Sequence, residues 1–306
     1  MPKLPKSIAL HIGVHKTAST HLQTVLDKNK SLLMKDGIRF YGPSELRPGN
    51  RELPVRFNLS DSKGPAPNRT PHEQLAHLAQ GCRRLVFSEE NIAGTLTNHK
   101  GKMKLPIYPS ALKRIEELAA CWAPLKPDIF VCVRNPASYM SSAYGQCLNK
   151  IPSIESLTFR ELNNWRSVDW ANFVVRLRAI PGVGKVTVWR QEDYAKNPRS
   201  VYRRMIRWRT GGKLKLIEHY VNKGLSAAAV DATLRFASEG QTDRIVGKAR
   251  KEFPINEINK PFKLYPAETY AEADQIYAEQ MARIAHMDGV TLLYQNKDAS
   301  GDVEKG

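Results

Sequence analysis

The segment IALHIGVHKTASTHLQTVL, residues 8–26, constrains the fold more than any other part of the chain. Its apolar run, Ile8–Gly13, lacks the polar alternation of a half-exposed strand and is typical of a buried parallel strand. A short loop with a lysine and several hydroxyl side chains follows, and then an amphipathic helix with Leu22, Val25 and Leu26 on one side. A strand, a loop and a helix in this order predict the first unit of a parallel α/β sheet.

The rest of the chain repeats this alternation of apolar runs and helical patterns. The further runs that predict strands are Ile38–Tyr41, which is the weakest, Leu85–Phe87, Ile129–Val133 and Val186–Trp189. The patterns that predict helices are Thr20–Leu33, Ser110–Trp122, Ser138–Leu148, Trp170–Ala179, Arg199–Trp208, Ser226–Ala237 and Ala271–Ala285. Because strands that alternate with helices form βαβ units, we predict an α/β fold with an open, mainly parallel sheet flanked by helices.

The length of 306 residues, with 42% hydrophobic residues, is enough to bury a core, and we predict a single domain over residues 1–306. Residues 42–71 are rich in proline, glycine and polar side chains and show little periodicity. Such a segment predicts a loop excursion over the surface, which is either a substrate-covering lid or disordered. The polar residues 296–306 predict a flexible tail.

The chain is strongly basic. It has 47 lysine and arginine residues against 30 aspartate and glutamate residues, which is a formal net charge of 47 − 30 = +17. This composition excludes an acidic surface and favours an anionic ligand, substrate or partner.

The sequence also makes predictions about compartment and metal content. No run of about 18 apolar residues is present, so no membrane-spanning helix is predicted. The basic and apolar N-terminus contains His11 and lacks a small-residue cleavage site, so we interpret it as a strand and expect a cytoplasmic protein. The four cysteines include no C-x-x-C pair and predict reduced thiols rather than a metal or redox site.

The loop after the first predicted strand, GVHKTAST, has the features of an anion-binding site. A loop between a strand and a helix directs backbone N–H groups and the positive end of the helix dipole at one point. Lys16 adds a positive charge, and Thr17, Ser19 and Thr20 add hydroxyl donors. The simpler alternative is that Ser19 or Thr20 only caps the helix. The nucleoside triphosphate signature G-x-x-x-x-G-K-[ST] is not met, because His15 stands where a glycine is required.

A second candidate site follows the strand predicted at Ile129–Val133. Arg134 comes directly after that strand, at the edge of the sheet where open α/β folds bind ligands, and its guanidinium can hold a phosphate with two hydrogen bonds. Pro136 can begin the next helix, and Ser142 would then lie about one and a half turns along it, near the same anion. The simpler alternative is that Arg134 pairs with a carboxylate.

Together the two segments resemble a known family. HKTASTHLQ resembles the 5′-phosphosulfate loop of sulfotransferases that use 3′-phosphoadenosine 5′-phosphosulfate (PAPS), and VRNPASYMSSAY resembles their 3′-phosphate motif. Weaker similarity continues through VTVWRQEDYAKNPRSVYRRMIRW and VNKGLSAAAV. The resemblance implies a P-loop NTPase-like three-layer architecture and an enzyme that transfers a sulfuryl group without a metal, with adenosine 3′,5′-bisphosphate as the product.

The resemblance also implies roles for individual residues. Those that it assigns to the 5′-phosphosulfate are Lys16, Thr17, Ala18, Ser19 and Thr20. Those that it assigns to the 3′-phosphate are Arg134, Ser142, Lys223 and Gly224, with His21 near the adenine. Lys16 would bind the oxygen that bridges phosphate and sulfur and stabilise the charge on the departing nucleotide.

A base must also take the proton of the acceptor. Glu89 and Glu90 end the predicted strand Leu85–Phe87 on the same side of the sheet, and Glu89 aligns best with the family's base, with Glu90 as second choice. His15 is a candidate donor beside Lys16. The alternative for at least one glutamate is a structural ion pair with Arg83 or Arg84.

The acceptor and the function class stay open at this stage. We expect a hydroxyl, or less readily an amine, on a glycan or small metabolite, and the excess positive charge favours an anionic one. An apolar strand followed by acidic residues is also typical of magnesium-binding elements, which keeps an ATP- and magnesium-dependent kinase-like enzyme as an alternative. The charge alone keeps a non-catalytic nucleic-acid-binding protein as a further one.

Overall fold

A computed structural model describes residues 3–217 and 224–293 and contains one six-stranded sheet. Its strands are β1 (Ser7–His11), β2 (Ile38–Tyr41), β3 (Arg84–Ser88), β4 (Asp128–Val133), β5 (Val186–Arg190) and β6 (Val290–Leu292). Their order is β2-β3-β1-β4-β5-β6, and every pair is parallel. The predicted open parallel α/β sheet is confirmed. Strand β6, an edge strand of three half-buried residues, carries too short an apolar run to be predicted.

Helices cover both faces of this sheet. They are α1 (Ser19–Lys28), α2 (Lys30–Lys35), α3 (Pro43–Leu46), α4 (Leu53–Arg56), α5 (Pro71–Ala79), α6 (Pro109–Trp122), α7 (Pro136–Cys147), α8 (Ser156–Leu162), α9 (Trp170–Arg178), α10 (Gln191–Tyr194), α11 (Pro198–Met205), α12 (Trp208–Lys213), α13 (Ala227–Ser238), α14 (Ile245–Glu252) and α15 (Ala267–Ala285). Single turns of 3-10 helix lie at Glu90–Ala93 and Trp165–Ser167.

Alternate strand residues divide the core into two layers, because successive side chains of a strand point to opposite faces. Leu10, Val131 and their neighbours pack with the buried sides of α6, α7, α9 and α15. Ala9 and Phe130 pack with α1, α11 and the residue that follows α12. The sheet therefore forms the middle of three layers.

Two predicted helices are each divided in the structure. The helix predicted at Thr20–Leu33 is broken at Asn29, whose side-chain amide donates to the carbonyls of Val25 at 2.8 Å and Lys215 at 3.0 Å. An asparagine that bonds the backbone in this way competes with helix continuation. The helix predicted at Arg199–Trp208 is likewise α11 and the start of α12.

The excursion at residues 42–71 carries structure of its own. It contains α3 and α4, and Leu46, Leu53 and Phe57 on it are buried in the core. Phe57 packs edge-on against Trp122 of α6, with ring centroids 5.3 Å apart. Sparse apolar side chains therefore hold down a segment whose composition is typical of a loop. The tail at residues 296–306 lies outside the described residues.

Two further sequence expectations concern compartment and redox state. All four cysteines are free thiols, of which Cys82, Cys132 and Cys147 are buried. Burial raises the pKa of the Cys132 thiol well above its ordinary value, which keeps that thiol protonated. Within the described ranges, no helix has the length and apolar character needed to cross a bilayer.

Phe87 tests the packing of the layer that joins the sheet to α6. Its ring is fully buried on β3 and stacks on Trp122 with centroids 5.6 Å apart. We expect Phe87→Ala to lower the free energy of unfolding by about 3–5 kcal/mol, since it removes a large buried side chain and leaves a cavity. Urea unfolding measures this change. The matched control is Val175→Ala on α9, where the side chain is 46% exposed and the loss should stay below about 0.5 kcal/mol.

Candidate active site

A cleft of about 710 Å³ lies at the carboxyl ends of β1, β3, β4 and β5. The chain crosses to β2 and β3 on one side of β1 and to β4, β5 and β6 on the other, so the cleft lies at the topological switch point of the sheet. Its lining residues come from the β1–α1 loop, the strand ends, α7 and the segment around α14: His15, Lys16, Ala18, Ser19, Thr20, Glu90, Arg134, Ser138, Ser141, Ser142, Gly145, Gln146, Gln191, Gly224, Leu225, Arg250, Ile255, Pro261, Phe262, Lys263 and Tyr270.

The β1–α1 loop is attached to β4 through its backbone. The N–H of Val14 donates to the carbonyl of Cys132 at 3.2 Å, and the N–H of Cys132 donates to the carbonyl of Gly13 at 2.6 Å. Gly13 has a φ of +93°, and a Cβ there would lie 3.1 Å from the Cβ of Glu90. Glycine at this position therefore lets the loop pass directly beside the glutamate.

The start of α1 leaves its first N–H groups available. The N-cap residue is Ala18, with a left-handed φ of 62°, and no side chain caps the helix. The alternative that Ser19 or Thr20 serves only as a cap is therefore wrong, since both lie inside the first turn. Lys16 is also left-handed, at φ 65°, and backbone that mixes left- and right-handed residues turns successive N–H groups to one side. The loop offers an anion-binding concavity to the cleft.

The three hydroxyl side chains of this loop are placed differently. Thr17 is 3% exposed, does not line the cleft, and donates its hydroxyl to the carbonyl of Val14 at 2.6 Å. Ser19 lines the cleft but also donates to Val14, at 3.3 Å. Thr20 lines the cleft from the first turn of α1. The expectation of a ligand contact through the Thr17 hydroxyl is not supported, because that group braces the loop.

Arg134 connects the two segments that the sequence singled out. It follows the last residue of β4, and its Nη1 donates to the carbonyl of Lys16 at 3.2 Å. Among the described residues no carboxylate lies within ion-pair distance of its guanidinium, so none of them forms the structural ion pair that the sequence left open. Burial lowers the pKa of Arg134 and the charge of Glu192 opposes that shift. The guanidinium is half-buried at the cleft. Only its Nη1 donates a hydrogen bond within the described ranges, so other N–H groups of the guanidinium are available to a ligand.

Helix α7 begins at Pro136 as predicted from its sequence, and Asn135 caps it by accepting from the N–H of Ser138 at 3.0 Å. Ser142 lines the cleft one and a half turns later. Ser141 also lines it, but its hydroxyl bonds the carbonyl of Ala137 at 2.9 Å and lies 2.7 Å from the hydroxyl of Tyr270. Ser142 makes no hydrogen bond through its side chain within the part of the chain that the structure describes, so its hydroxyl is available.

The two glutamates after β3 have different environments. Glu89 is 2% exposed, does not line the cleft, and accepts two hydrogen bonds from Arg47 at 2.7 and 3.0 Å and one from the N–H of Asn91 at 2.9 Å. Glu90 lines the cleft and is 3.4 Å from Arg47. The expected ion-pair partners Arg83 and Arg84 are therefore wrong. The partner is Arg47, which follows α3 in the excursion and is too distant in sequence for any local pattern to reveal.

This arrangement reverses the order of preference between the two carboxylates. The carboxylate of Glu89 accepts hydrogen bonds from Arg47 and from the N–H of Asn91, and Glu89 does not line the cleft. Glu90 lines the cleft, and its Cβ lies beside Gly13. Glu90 is thus the better placed of the two to reach an acceptor.

His15 lines the cleft but is 6% exposed. Its ring stacks on Tyr108, with centroids 5.9 Å apart, and its Nδ1 lies 3.3 Å from the Tyr108 hydroxyl, which lies 2.6 Å from the hydroxyl of Tyr139. Burial lowers the pKa of His15 to about 4, against which a hydrogen bond to Asn91 acts. His15 is therefore neutral at neutral pH and is tied to buried tyrosines.

Three further residues that the resemblance assigns to the nucleotide are His21, Lys223 and Gly224, and they have different outcomes. His21 is 2% exposed, its Nδ1 is 3.0 Å from the Tyr194 hydroxyl and its Nε2 is 3.0 Å from the carbonyl of Ile217, so a contact between His21 and an adenine in this cleft is not supported. Gly224 lines the cleft. Lys223 lies outside the described residues.

The cleft contains two cations that the sequence did not indicate, Arg250 on α14 and Lys263 after it. Nε of Arg250 is buried and has no hydrogen-bond partner in the described ranges. Burial lowers the pKa of Lys16, Arg250 and Arg134 add to that shift, and Glu90 opposes it. Neither Arg250 nor Lys263 belongs to a motif, and only the packing of the C-terminal third over α7 brings them to the cleft.

Comparison with solved structures finds several chains that are similar to this one. A sulfotransferase from Alicyclobacillus acidocaldarius is similar to this chain at 16% identity with a TM-score of 0.43, over 92% of this chain and 95% of that one. At that identity and TM-score the similarity assigns neither a family nor a function. No family model matches the chain, and a search of curated protein sequences finds no match.

The burial of His15 predicts a contribution to acid sensitivity. The pKa of His15 in the folded protein, about 4, lies below its ordinary value of 6.5, so the unfolded chain takes up the proton first as pH falls. The contribution of His15 to the free energy of unfolding is therefore fully present above about pH 6.5 and is lost progressively as pH falls to about 4. About 2 kcal/mol of this contribution is lost at pH 5.

Urea unfolding at about pH 7 and pH 5 tests this contribution in His15→Asn, whose amide can replace the contact of Nδ1 with Tyr108. The difference in unfolding free energy between the two pH values should shrink by about 2 kcal/mol in this variant. The control is His99→Asn at an exposed position, which should leave the difference unchanged. Equal pH dependence in His15→Asn and the parent protein would contradict the prediction.

Proposed function

We propose that this protein is a PAPS-dependent sulfotransferase that transfers the sulfuryl group to a hydroxyl acceptor. The observation that carries the proposal is the meeting of Lys16 and Arg134 in one cleft, where Arg134 donates to the carbonyl of Lys16 itself. Two anion-binding groups that come from separate βα units are thereby held at a fixed spacing. A donor with phosphate groups at both the 5′ and the 3′ position of one ribose requires such a spacing.

The residues of the cleft fit this donor in charge. The 3′-phosphate, the 5′-phosphate and the sulfate together carry about four negative charges at neutral pH. Among the described residues, the cleft is lined by four cations, Lys16, Arg134, Arg250 and Lys263, and by one carboxylate, that of Glu90. The buried, unpaired Nε of Arg250 and the uncapped start of α1 are donors for which an anion supplies the missing acceptor.

The mechanism follows from these positions. PAPS supplies an activated sulfuryl group whose departure leaves charge on the bridging oxygen of the nucleotide. The loop N–H groups and Thr20 hold the 5′-phosphate, while Arg134 and Ser142 hold the 3′-phosphate and fix the orientation of the ribose. Protonated Lys16 stabilises the charge on the departing oxygen. Glu90 accepts the proton of the acceptor hydroxyl as that oxygen attacks sulfur in line with the bond that breaks.

The balance between the cations of the cleft and the negative charges of the donor limits which acceptors fit beside the donor. Among the described residues, the donor matches the four cations of the cleft, so none of these four is left over to bind a second anion there. We therefore propose a neutral hydroxyl, on a glycan or a small metabolite, in place of the anionic acceptor that the composition suggests. Glu90 would lie against a neutral acceptor without repelling it, whereas a second anion beside that carboxylate would be destabilised.

Nucleotide selectivity tests the proposed donor by thermal shift. At about 100 times the Kd, adenosine 3′,5′-bisphosphate should stabilise the protein by about 2.7 kcal/mol and raise Tm by about 4 °C without magnesium. Adenosine 5′-monophosphate, which lacks the 3′-phosphate, should give a much smaller shift, and Arg134→Ala should abolish the difference between the two. Stabilisation by ATP and magnesium alone would support the kinase-like alternative instead, and equal weak shifts with all nucleotides would contradict both.

Turnover tests the roles of Lys16 and Glu90. The assay uses labelled PAPS and a panel of sugar and phenol hydroxyls. Lys16→Ala and Glu90→Gln should each lower kcat by about 10²–10⁴-fold. Lys16 stabilises charge that develops only in the transition state, and Glu90 accepts a proton that moves only in the transition state. Binding of adenosine 3′,5′-bisphosphate should stay nearly unchanged in Glu90→Gln. The matched control is Glu116→Gln at an exposed position of α6. Undiminished kcat in Glu90→Gln would exclude this base.

A further inference from the structure

The excess positive charge is concentrated in one stretch of the chain. Residues 194–217 contain eight lysine and arginine residues and no aspartate or glutamate, which is close to half of the net +17. The stretch comprises α11, α12 and their connections. None of its residues lines the cleft. The donor therefore does not account for this charge.

The exposed part of this stretch forms a surface that we name the arginine–tryptophan surface, made of Arg203, Arg204, Arg207, Trp208 and Arg209. Trp208 is 70% exposed, and the guanidinium of Arg203 lies 4.4 Å from its ring centroid. Arg204, Arg207 and Arg209 are exposed. Within the described ranges none of the four arginines forms an ion pair with a carboxylate, so no carboxylate of those ranges neutralises their charges.

The surface lies at the opposite end of the strands from the cleft. Arg84, the first residue of β3, donates to the carbonyl of Met205 at 2.8 Å, which places the end of α11 at the amino end of the sheet. Burial lowers the pKa of Arg84, the charge of Asp128 opposes that shift, and the charges of Arg207 and Arg204 add to it, so both arginines lie near Arg84. A partner held here leaves the cleft open to both substrates.

We propose that the arginine–tryptophan surface docks the protein on an anionic phospholipid membrane. Trp208, between Arg207 and Arg209 in the sequence, presents the combination that suits the headgroup layer, with an amphipathic ring among cations that pair with lipid phosphates. A polymeric acceptor fits less well, since it must reach the cleft at the other end of the sheet.

Vesicle binding tests the proposal on the full chain. Sedimentation with vesicles of phosphatidylcholine and about one third phosphatidylglycerol should pull down the protein at low salt, and pure phosphatidylcholine vesicles should not. The triple variant Arg204→Gln, Arg207→Gln, Arg209→Gln should lower the partition coefficient about 100-fold, which corresponds to about 3 kcal/mol over three cations. Brominated lipids should quench the tryptophan fluorescence of the parent protein, and they should quench that of Trp208→Phe much less. The reason is that every other tryptophan of the described residues is buried.

A matched triple variant distinguishes the effect of the arginine–tryptophan surface on vesicle binding from the effect of the protein's net charge. Lys100→Gln, Lys102→Gln, Lys104→Gln removes three exposed cations that form no ion pair in the described ranges and should leave vesicle binding within about twofold of the parent protein. Equal loss in both triple variants, or no binding of the parent protein to anionic vesicles, would overturn the proposal. Binding to heparin or single-stranded DNA through this surface without vesicle binding would overturn it in favour of a polyanionic partner. Unchanged Tm in both triples verifies that folding is intact.

Discussion

The attachment of the β1–α1 loop to β4 is the contact on which the candidate site depends. Two backbone hydrogen bonds join Gly13 and Val14 to Cys132, and Arg134 then donates to the carbonyl of Lys16. Because β4 is a buried central strand, the loop inherits the rigidity of the sheet rather than the mobility of a surface connection. Two cationic groups from separate βα units are thereby kept at one distance, which is the condition for recognising a ligand with two separate anionic groups.

A second long-range contact, between two side chains, joins the excursion at residues 42–71 to the site. Arg47 holds the buried carboxylate of Glu89 with two hydrogen bonds, and Glu89 in turn caps the 3-10 turn that begins with Glu90. The excursion is therefore anchored at Arg47, and Glu90 is positioned by a residue that lies 43 positions earlier in the chain.

The positive charge of the protein lies in two separate groups of cations, and the net charge of +17 does not distinguish between them. Among the described residues, four cations line the cleft, and we propose that they bind the sulfuryl donor. A larger group lies on α11 and α12 at the amino ends of the strands, where it is exposed and lacks carboxylate partners in the described ranges. Charges at opposite ends of a sheet act on different ligands, because exposed charges farther apart than about 10 Å are largely screened by salt.

The sequence by itself determined the parallel α/β sheet and the two segments that meet at its edge. Apolar runs without alternation predict buried parallel strands, and Lys16 and Arg134 each follow such a run directly, so strand polarity alone brings them to the same edge. The tertiary structure alone decided which carboxylate faces the cleft, and it added Arg250 and Lys263. Those outcomes depend on contacts with Arg47 and on packing of the C-terminal helices, and contacts between residues far apart in the chain leave no periodic signal in the sequence.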